Sequence, residues 1–219
     1  MTAPSKSRNH VLERIRTATY PIVHTSLIER AYGELPRSFV LRGQLSTDSR
    51  ISLLIERLRE YDADVVESTS DQLSATIATQ LALSGKQNFV APPGLPEEWR
   101  APCFKWQIDS ELTYAEIDQA DGVVTGAFCA IAHSGTIVLH HSSVEGRRVL
   151  TLLPDWHLCI LYASQVDETF PEYFTRCSQP PPVATWISGP SATADIEMTR
   201  IKGVHGPRFL NVILVRDEI

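Results

Sequence analysis

An alternation of helical and strand patterns between residues 48 and 119 constrains the fold of this chain most. Apolar residues recur there at helical spacing in some segments, and short β-branched or aromatic runs separate those segments. The pattern predicts helices over 48–61, 71–83 and 114–119, strands over 63–67, 88–91 and 104–108, and one helical turn at 96–99. Such alternation with short connections favours an α/β fold, in which helices flank a mostly parallel sheet.

The second half of the chain has a different pattern. Residues 122–132 and 136–140 are two apolar runs joined by His133-Ser134-Gly135, which is typical of a tight antiparallel hairpin. Three consecutive prolines at 180–182 force an extended stretch, and an apolar run begins at Val183. The sequence therefore predicts an antiparallel excursion from the sheet, followed by a further strand.

Residues 1–47 differ from the rest of the chain. Val11, Leu12 and Ile15 have helical spacing among charged residues, and the stretch from 20 to 47 contains prolines and glycines without a clear period. We expect an N-terminal helical arm and connection over 1–47, and one α/β domain over 48–219.

Composition and charge exclude several classes of protein. The net charge is −6 and the pI is near 5.6, which argues against a nucleic-acid-binding protein. The first 20 residues carry charges throughout, unlike a signal peptide, and the longest uncharged apolar run, 122–132, is too short to span a bilayer. A cytoplasmic protein without a membrane span is the expectation.

Metal and cofactor motifs are missing from the sequence. The four cysteines are scattered without a C-x-x-C pair, and no two histidines have the spacing of a metal-binding helix. The sequence also lacks a Walker A motif, a G-x-G-x-x-G turn and a G-x-S-x-G elbow. We therefore predict no metal site and no bound cofactor.

Two polar breaks between residues 183 and 210 indicate a candidate site. The first is Ser188-Gly189-Pro190-Ser191 and the second is Gly203-Val204-His205-Gly206-Pro207. If 183–187 is a strand of the parallel sheet, Ser188 lies at its carboxyl end, where open α/β sheets bind ligands. Hydroxyls and free amides there suit an anion. The alternative is a polar turn that caps a helix, with Ser191 or Thr193 as the N-cap.

Three residues of this segment are candidates for acid–base chemistry, namely Asp195, Glu197 and His205. His205 lies between two glycines, and its unperturbed pKa is near ~6.5. In the alternative interpretation, the carboxylates pair with Arg200 or Lys202, and His205 only bonds a neighbouring carbonyl. The residues alone do not decide between these interpretations.

Four sequence blocks together resemble the LUD domain family, the family of lactate utilization protein C. The blocks are T-G-A-F-C-A-I-A-H-S-G-T-I-V-L (125–139), R-V-L-T-L-L-P-D-W-H (148–157), I-S-G-P-S-A-T-A-D-I-E (187–197) and G-V-H-G-P (203–207). They occur in the family's order across most of the second half. The resemblance implies a fold related to ribose-5-phosphate isomerase, glucosamine-6-phosphate deaminase and CoA transferases. It also implies a role in oxidising L-lactate to pyruvate, together with partner proteins that carry iron–sulfur clusters.

The blocks and the two breaks define a predicted binding site for a small anionic ligand. Its residues are Thr125, Gly126, Ser134, Gly135, Thr136, Ser188, Gly189, Ser191, Thr193, His205 and Gly206. We expect six of them to converge on one cavity at the strand ends, namely Ser134, Thr136, Ser188, Ser191, Thr193 and His205. One position departs from the family, which usually has Glu where this chain has His133, so carboxylate chemistry at that position is not expected.

The sequence leaves the activity open between three hypotheses. The favoured one is a component of a lactate-oxidising system that binds a small anion, with the electron acceptor on a partner protein, because no side chain can hold the electrons of lactate. The alternatives are a stand-alone isomerase or acyl/CoA transferase acting on a small anionic metabolite, and a protein-interaction module. Whether the chain catalyses a reaction by itself, and its oligomeric state, are left undecided by the sequence.

Overall fold

A computed structural model describes residues 6–18, 25–36, 38–193, 201–203 and 205–217. The chain forms two compact units, Met1–Phe39 and Val40–Ile219. Residues 40–47 group with the larger unit, and the domain boundary predicted between residues 47 and 48 remains a proposal.

The smaller unit contains two helices, α1 (Lys6–Ala18) and α2 (Thr25–Gly33). No residue of α1 is buried, and the apolar side chains of Leu27, Ile28 and Tyr32 on α2 are exposed. Helical spacing predicted the first helix, whereas α2 forms in the stretch 20–47, which has no clear period and was predicted as a connection.

The larger unit contains four helices and twelve strands among its described residues. The helices are α3 (Thr47–Glu60), α4 (Leu73–Leu83), α5 (Tyr114–Asp118) and α6 (Phe170–Arg176). The strands are β1 (Asp64–Thr69), β2 (Asn88–Ala91), β3 (Lys105–Ile108), β4 (Gly122–Thr125), β5 (Cys129–Ile131), β6 (Thr136–Leu139), β7 (Trp156–Tyr162), β8 (Val166–Asp167), β9 (Thr185–Ile187), β10 (Ala192–Thr193), β11 (Ile201–Lys202) and β12 (Phe209–Arg216). Short 3-10 turns occupy Glu97–Trp99, Ala132–Ser134, Arg148–Thr151 and Ala163–Gln165.

The strands form one large parallel sheet and two smaller sheets. The parallel sheet has six strands in the order β1-β12-β7-β4-β2-β3. The second sheet has the order β8-β5-β6-β9, with β6 antiparallel to both of its neighbours, and β10 pairs with β11 in an antiparallel ribbon. The predicted α/β fold with a mostly parallel sheet flanked by helices is confirmed.

The core is layered because alternate side chains of a strand point to opposite faces of the sheet. On β7, Cys159 and Leu161 pack in the cluster that includes α3, whereas Leu158 and Ile160 pack in the cluster that includes α4. Buried residues of β6 join the α3 cluster, so the second sheet lies on the α3 side of the parallel sheet. Helix α6 contributes Tyr173 to a cluster with β5 and β6.

The start of α3 differs from the prediction. The sequence placed its N-cap at Asp48, but the helix begins at Thr47, and the Oγ of Ser46 accepts a hydrogen bond from the Ser49 amide. Asp48 lies in the first turn, where a carboxylate suits the helix dipole, and accepts from Nη1 of Arg216 at 2.8 Å. Both serine and aspartate are good caps, so residue type alone did not fix the position.

The run from 122 to 132 is not one strand of a hairpin. Residues 122–125 form β4 inside the parallel sheet, and the hairpin pairs only β5 with β6. Between them the amide of Gly126 donates to the Val144 carbonyl at 3.0 Å and not to a strand partner. Both segments are apolar because both are buried, so the apolar pattern did not reveal the break.

The strand before Ser188 also differs from the prediction. It was expected in the parallel sheet, but β9 pairs antiparallel with β6 at the edge of the second sheet. Its side chains are partly or fully exposed, as Trp186 is, whereas parallel strands covered on both faces are continuously buried, as β7 is except at its last residue.

The loop over residues 140–147 covers the carboxyl ends of β2, β3 and β4. The Gly94 amide donates to the Ser143 carbonyl at 2.9 Å, which ties the segment after β2 to this loop. Within the loop, the buried carboxylate of Glu145 accepts from the amides of His140 and Ser142. This edge of the parallel sheet is therefore closed by internally bonded polar groups.

Candidate functional site

The best-formed polar cavity near the two predicted breaks has a volume of about 300 Å³. It lies between β9, the segment 188–192, the segment 205–207 and the 3-10 turn Arg148–Thr151. The described polar side chains of its wall are Arg148, Thr151, His157, Thr185, Ser188, Ser191 and His205. A volume at the lower end of the range for ligand pockets suits a molecule of few heavy atoms.

The cavity does not lie at the carboxyl ends of the parallel strands, where it was expected. His157 is the second residue of β7 and Leu210 the second residue of β12, and the two are paired in register. The cavity therefore lies over the amino-terminal half of these strands, on the α3 side of the sheet. The displacement follows from β9, which belongs to the second sheet and brings its loop to this face.

The two glycine–proline breaks are bonded to each other around the cavity. Ser191 donates its amide to the Pro207 carbonyl at 2.8 Å, and its own carbonyl accepts from the Gly203 amide at 2.9 Å. The Oγ of Ser191 accepts from the amide of His205 at 3.2 Å. Ser191 therefore positions the loop that carries His205.

A chain of three hydroxyls reaches the cavity from the hairpin between β5 and β6. The Oγ atoms of Ser134 and Ser188 lie 2.7 and 2.8 Å from the Oγ1 of Thr136, respectively. Ser188 lines the cavity, whereas Ser134 and Thr136 hold Ser188 from behind.

Two glycines of the predicted site are required by packing against α3. Gly135 has φ of 62° and Gly189 has φ of 85°, in the left-handed region that favours glycine. A Cβ on Gly135 would lie 2.7 Å from the Arg57 Cβ, and one on Gly189 would lie 2.5 Å from the Tyr61 Cβ. These contacts fix the turns that precede β6 and follow β9.

His157 is a buried histidine in the cavity wall, with 1% of its surface exposed. Its Nε2 lies 2.8 Å from the Oγ1 of Thr125, which closes β4. Burial lowers the pKa of His157 to about 4, so the ring is neutral near pH 7. The hydroxyl of Thr125 fixes the ring orientation in either tautomer, because a hydroxyl both donates and accepts.

Arg148 provides a cation at the cavity. Its side chain is exposed, and no ion pair or side-chain hydrogen bond holds its guanidinium within the described part of the chain. The neighbouring Arg147 is different, because its Nε and Nη2 donate to the two carboxylate oxygens of Asp109 at 2.7 and 2.6 Å. Guanidinium groups bind carboxylates with matched geometry, so Arg148 gives the cavity the chemistry of an anion site.

The profile of the LUD domain matches residues 43–215. The chain belongs to the LUD domain family. Lactate utilization protein C of Deinococcus radiodurans is 38% identical over 167 residues, which cover 73% of this chain and 76% of that protein. Lactate utilization protein C of Geobacillus thermodenitrificans is 30% identical over 195 residues, covering 79% and 81%. The crystal structure of a DUF162 family protein from Deinococcus radiodurans superposes with a TM-score of 0.68 at 31% identity, covering 78% of this chain and 99% of that one.

The LUD domain brings together some of the predicted site residues and not others. Ser188, Gly189, Ser191, His205 and Gly206 line the cavity. Thr125 reaches it through His157, and Ser134 and Thr136 reach it through Ser188. Gly126 and Gly135 are not among the described residues of the wall.

Some predicted residues cannot be placed in the cavity. Asp195 and Glu197 lie outside the described residues, and Thr193 is described only by its backbone pairing with Ile201. His133, at the position where the family usually has Glu, is exposed, and its amide donates to the Glu168 carbonyl at 3.0 Å. It is not among the described residues that line the cavity.

Of the polar wall residues, sequence reasoning missed Thr185 on β9, and it also missed Arg148, Thr151 and His157. The last three lie in the block 148–157, which carried part of the resemblance but contained no glycine–proline break. Part of a signal was available, since His157 is a histidine inside an otherwise apolar run, whereas nothing in the sequence distinguishes Arg148 from Arg147.

The described residues contain no group of three or more His, Cys, Asp or Glu side chains arranged to hold a metal. Burial raises the pKa of the Cys129 and Cys159 thiols to about 12, so neither is a thiolate at neutral pH. No helix within the described ranges is both long and apolar enough to cross a membrane.

Proposed function

We propose that this LUD domain protein is a component of L-lactate utilization that binds a small carboxylate in the cavity beside β9. The observation that carries this proposal is Arg148, which lines a cavity of about 300 Å³ and whose guanidinium has no ion pair or side-chain hydrogen bond among the described residues. The hydroxyls of Ser188, Ser191 and Thr151 surround the same space. One cation with several neutral donors matches a ligand with one negative charge.

The proposed role in L-lactate utilization rests on the names of the relatives. Proteins named lactate utilization protein C match this chain over most of its length, at up to 38% identity among those described above. Oxidation of lactate to pyruvate releases two electrons, which no amino-acid side chain stores. The four scattered cysteines of this chain do not form an iron–sulfur ligand run. The proposal therefore places the electron acceptor on iron–sulfur partner proteins.

Ligand binding is tested by calorimetric titration of the full chain with L-lactate, pyruvate and inorganic phosphate. We expect Arg148→Met to weaken the binding of each carboxylate at least tenfold, because a charge-assisted pair is lost. Lys105→Met removes an exposed charge from β3, distant in the chain from the cavity segments, and serves as the control with unchanged affinity. Absence of binding to all three anions, or equal effects of both variants, contradicts the proposed site.

The partner proposal has its own test. The tagged chain is purified from its native cells grown on L-lactate, and co-purifying proteins are identified by mass spectrometry and by the absorption of iron–sulfur clusters. We expect iron–sulfur proteins in stoichiometric amounts. Turnover of acyl-CoA donors or sugar phosphates by the isolated chain, abolished by His205→Ala, would instead support the stand-alone enzyme.

A further inference from the structure

The ring of His157 has one nitrogen that forms no hydrogen bond with the residues that the structure describes. Thr125 bonds Nε2, and no described residue bonds Nδ1. In the described part of the chain, the side-chain atoms that are fully buried and lack a partner are Nε of Arg50 and Nε of Arg100. Nδ1 of His157 is not one of them, so this atom is not fully buried. Since the residue is 1% exposed and lines the cavity, we infer that Nδ1 faces the cavity.

An unsatisfied polar atom at such a position costs free energy unless water or a ligand bonds it. The imidazole is neutral because the surrounding core disfavours its charged form. A neutral ring gives no net charge to hold a carboxylate, whereas Arg148 of the same cavity does. The two residues therefore offer two different kinds of contact, one to a charged group and one to an uncharged polar atom.

A hydroxyl is the group that fits Nδ1 in both tautomers of the ring. If Thr125 donates to Nε2, Nδ1 carries the proton and donates to the ligand. If Nε2 donates to Thr125, Nδ1 is an acceptor. A ligand hydroxyl can accept or donate, but a carbonyl can only accept.

We propose that His157 is the specificity-determining residue of the cavity, and that the cavity selects short 2-hydroxy carboxylates over carboxylates that lack the hydroxyl. Arg148 binds the carboxylate, and Nδ1 of His157 binds the neighbouring hydroxyl. This inference rests on the proposed function of the cavity as a carboxylate site, and it adds the ligand class and the residue that recognises it. Thr125 is the positioning residue, since it acts through the ring of His157.

The test compares L-lactate with propionate, which has the same carbon skeleton without the hydroxyl. The dissociation constants of both are measured by calorimetry on the full chain and on two variants. The wild type is expected to bind lactate about tenfold tighter than propionate. His157→Leu is expected to abolish this difference with propionate affinity unchanged within about twofold, whereas His157→Asn keeps a polar atom near Nδ1 and retains part of the preference.

The outcomes distinguish a failure of the carboxylate site from a failure of the role assigned to His157. Binding of neither acid by the wild type overturns the carboxylate site itself. Equal binding of both acids leaves the carboxylate site in place and overturns the role of His157, as does an equal loss of both ligands in His157→Leu.

A second pair of variants and a spectroscopic readout cover the case in which His157→Leu does not fold. Thr125→Val removes the bond that orients the ring and is expected to lower the lactate preference, whereas Thr125→Ser keeps the hydroxyl and the preference. In nitrogen-15 NMR spectra of the wild type, lactate is expected to shift the Nδ1 resonance of His157, and propionate is not. An unshifted Nδ1 resonance in the lactate-saturated protein overturns the proposal.

Discussion

Arg147 and Arg148 are neighbours in the chain, yet they belong to two different parts of the molecule. Arg147 makes a two-pronged contact with Asp109 and also donates to the Leu112 carbonyl, so it joins the loop 140–147 to the segment after β3. Arg148 turns to the cavity beside β9 and pairs with no described side chain. The comparison teaches that polar groups satisfied within the protein build the framework, whereas polar groups without a described partner are the candidates for binding a ligand.

The strongest test of this comparison is to remove each arginine in turn. Arg147→Met leaves the Asp109 carboxylate, whose side chain is 2% exposed, without its cation, and we expect the free energy of unfolding to fall by about 4 kcal/mol. Arg148→Met removes no ion pair or side-chain hydrogen bond with the described residues, and it is expected to change the free energy of unfolding by less than about 0.5 kcal/mol. Urea denaturation of both variants measures the contrast. Similar losses of stability in the two variants would break the comparison.

The next test varies the pH and concerns His157. One ring nitrogen of this residue is bonded within the protein, and the other has no bond to a described residue. Its folded-state pKa of about 4 lies below the unfolded value of ~6.5, so the unfolded chain binds more protons between these values. The stability that His157 contributes is present above pH 6.5 and is lost as the pH falls toward 4, by about 3 kcal/mol. We expect wild type to lose this much more stability than His157→Asn between pH 7 and 4, measured by urea denaturation. Parallel stability curves would show that the ring is not buried as described.

A smaller effect is expected at the turn that follows β9. Gly189→Ala introduces a side chain at φ of 85° and at 2.5 Å from the Tyr61 Cβ, and we expect a loss of about 2 kcal/mol. Gly33→Ala is the matched control, because no atom lies within 4 Å of its Cβ position and its φ is ordinary. We expect the midpoint of thermal unfolding to fall in Gly189→Ala and to stay unchanged in Gly33→Ala. An unchanged midpoint for Gly189→Ala would mean that the cavity wall is not held against α3.

The smallest expected effect tests whether Ser191 stabilises the loop that carries His205. Ser191→Ala removes the acceptor of the His205 amide, and we expect a loss of about 1 kcal/mol. Ser142→Ala is a suitable control, since only the backbone of Ser142 is bonded in the loop that covers the carboxyl ends. Urea denaturation measures the free energy of unfolding of both variants. Equal values for the two would show that Ser191 does not stabilise the cavity wall.

Local pattern was enough to predict most of the fold. The spacing of Ile51, Leu54, Ile55 and Leu58 gave the buried face of α3, and the alternation that follows gave a parallel sheet between helices. It did not show which sheet a strand joins, because pairing is a long-range contact. Residues 122–132 and 183–187 were misplaced for this reason.

The site was predicted less completely than the fold. Glycine–proline breaks identified the segments of Ser188 and His205, which meet at one cavity through contacts with Ser191. His157 and Arg148 were not predicted, because their significance depends on what they lack among the described residues, namely a partner for Nδ1 and a counter-ion. Such a lack is visible only when the neighbours in space are known.

The short edge strand β9 has a consequence for the local stability of the cavity wall. It has three residues, it pairs only with β6 within the described part of the chain, and it forms one wall of the cavity. A short edge strand detaches at a much lower free energy than global unfolding requires. We therefore expect the amide protons of residues 185–187 to exchange with solvent far faster than those of β7, and a bound ligand to slow that exchange. The wall at β9 would then be the part of the cavity that opens most readily, while the parallel sheet beneath stays folded.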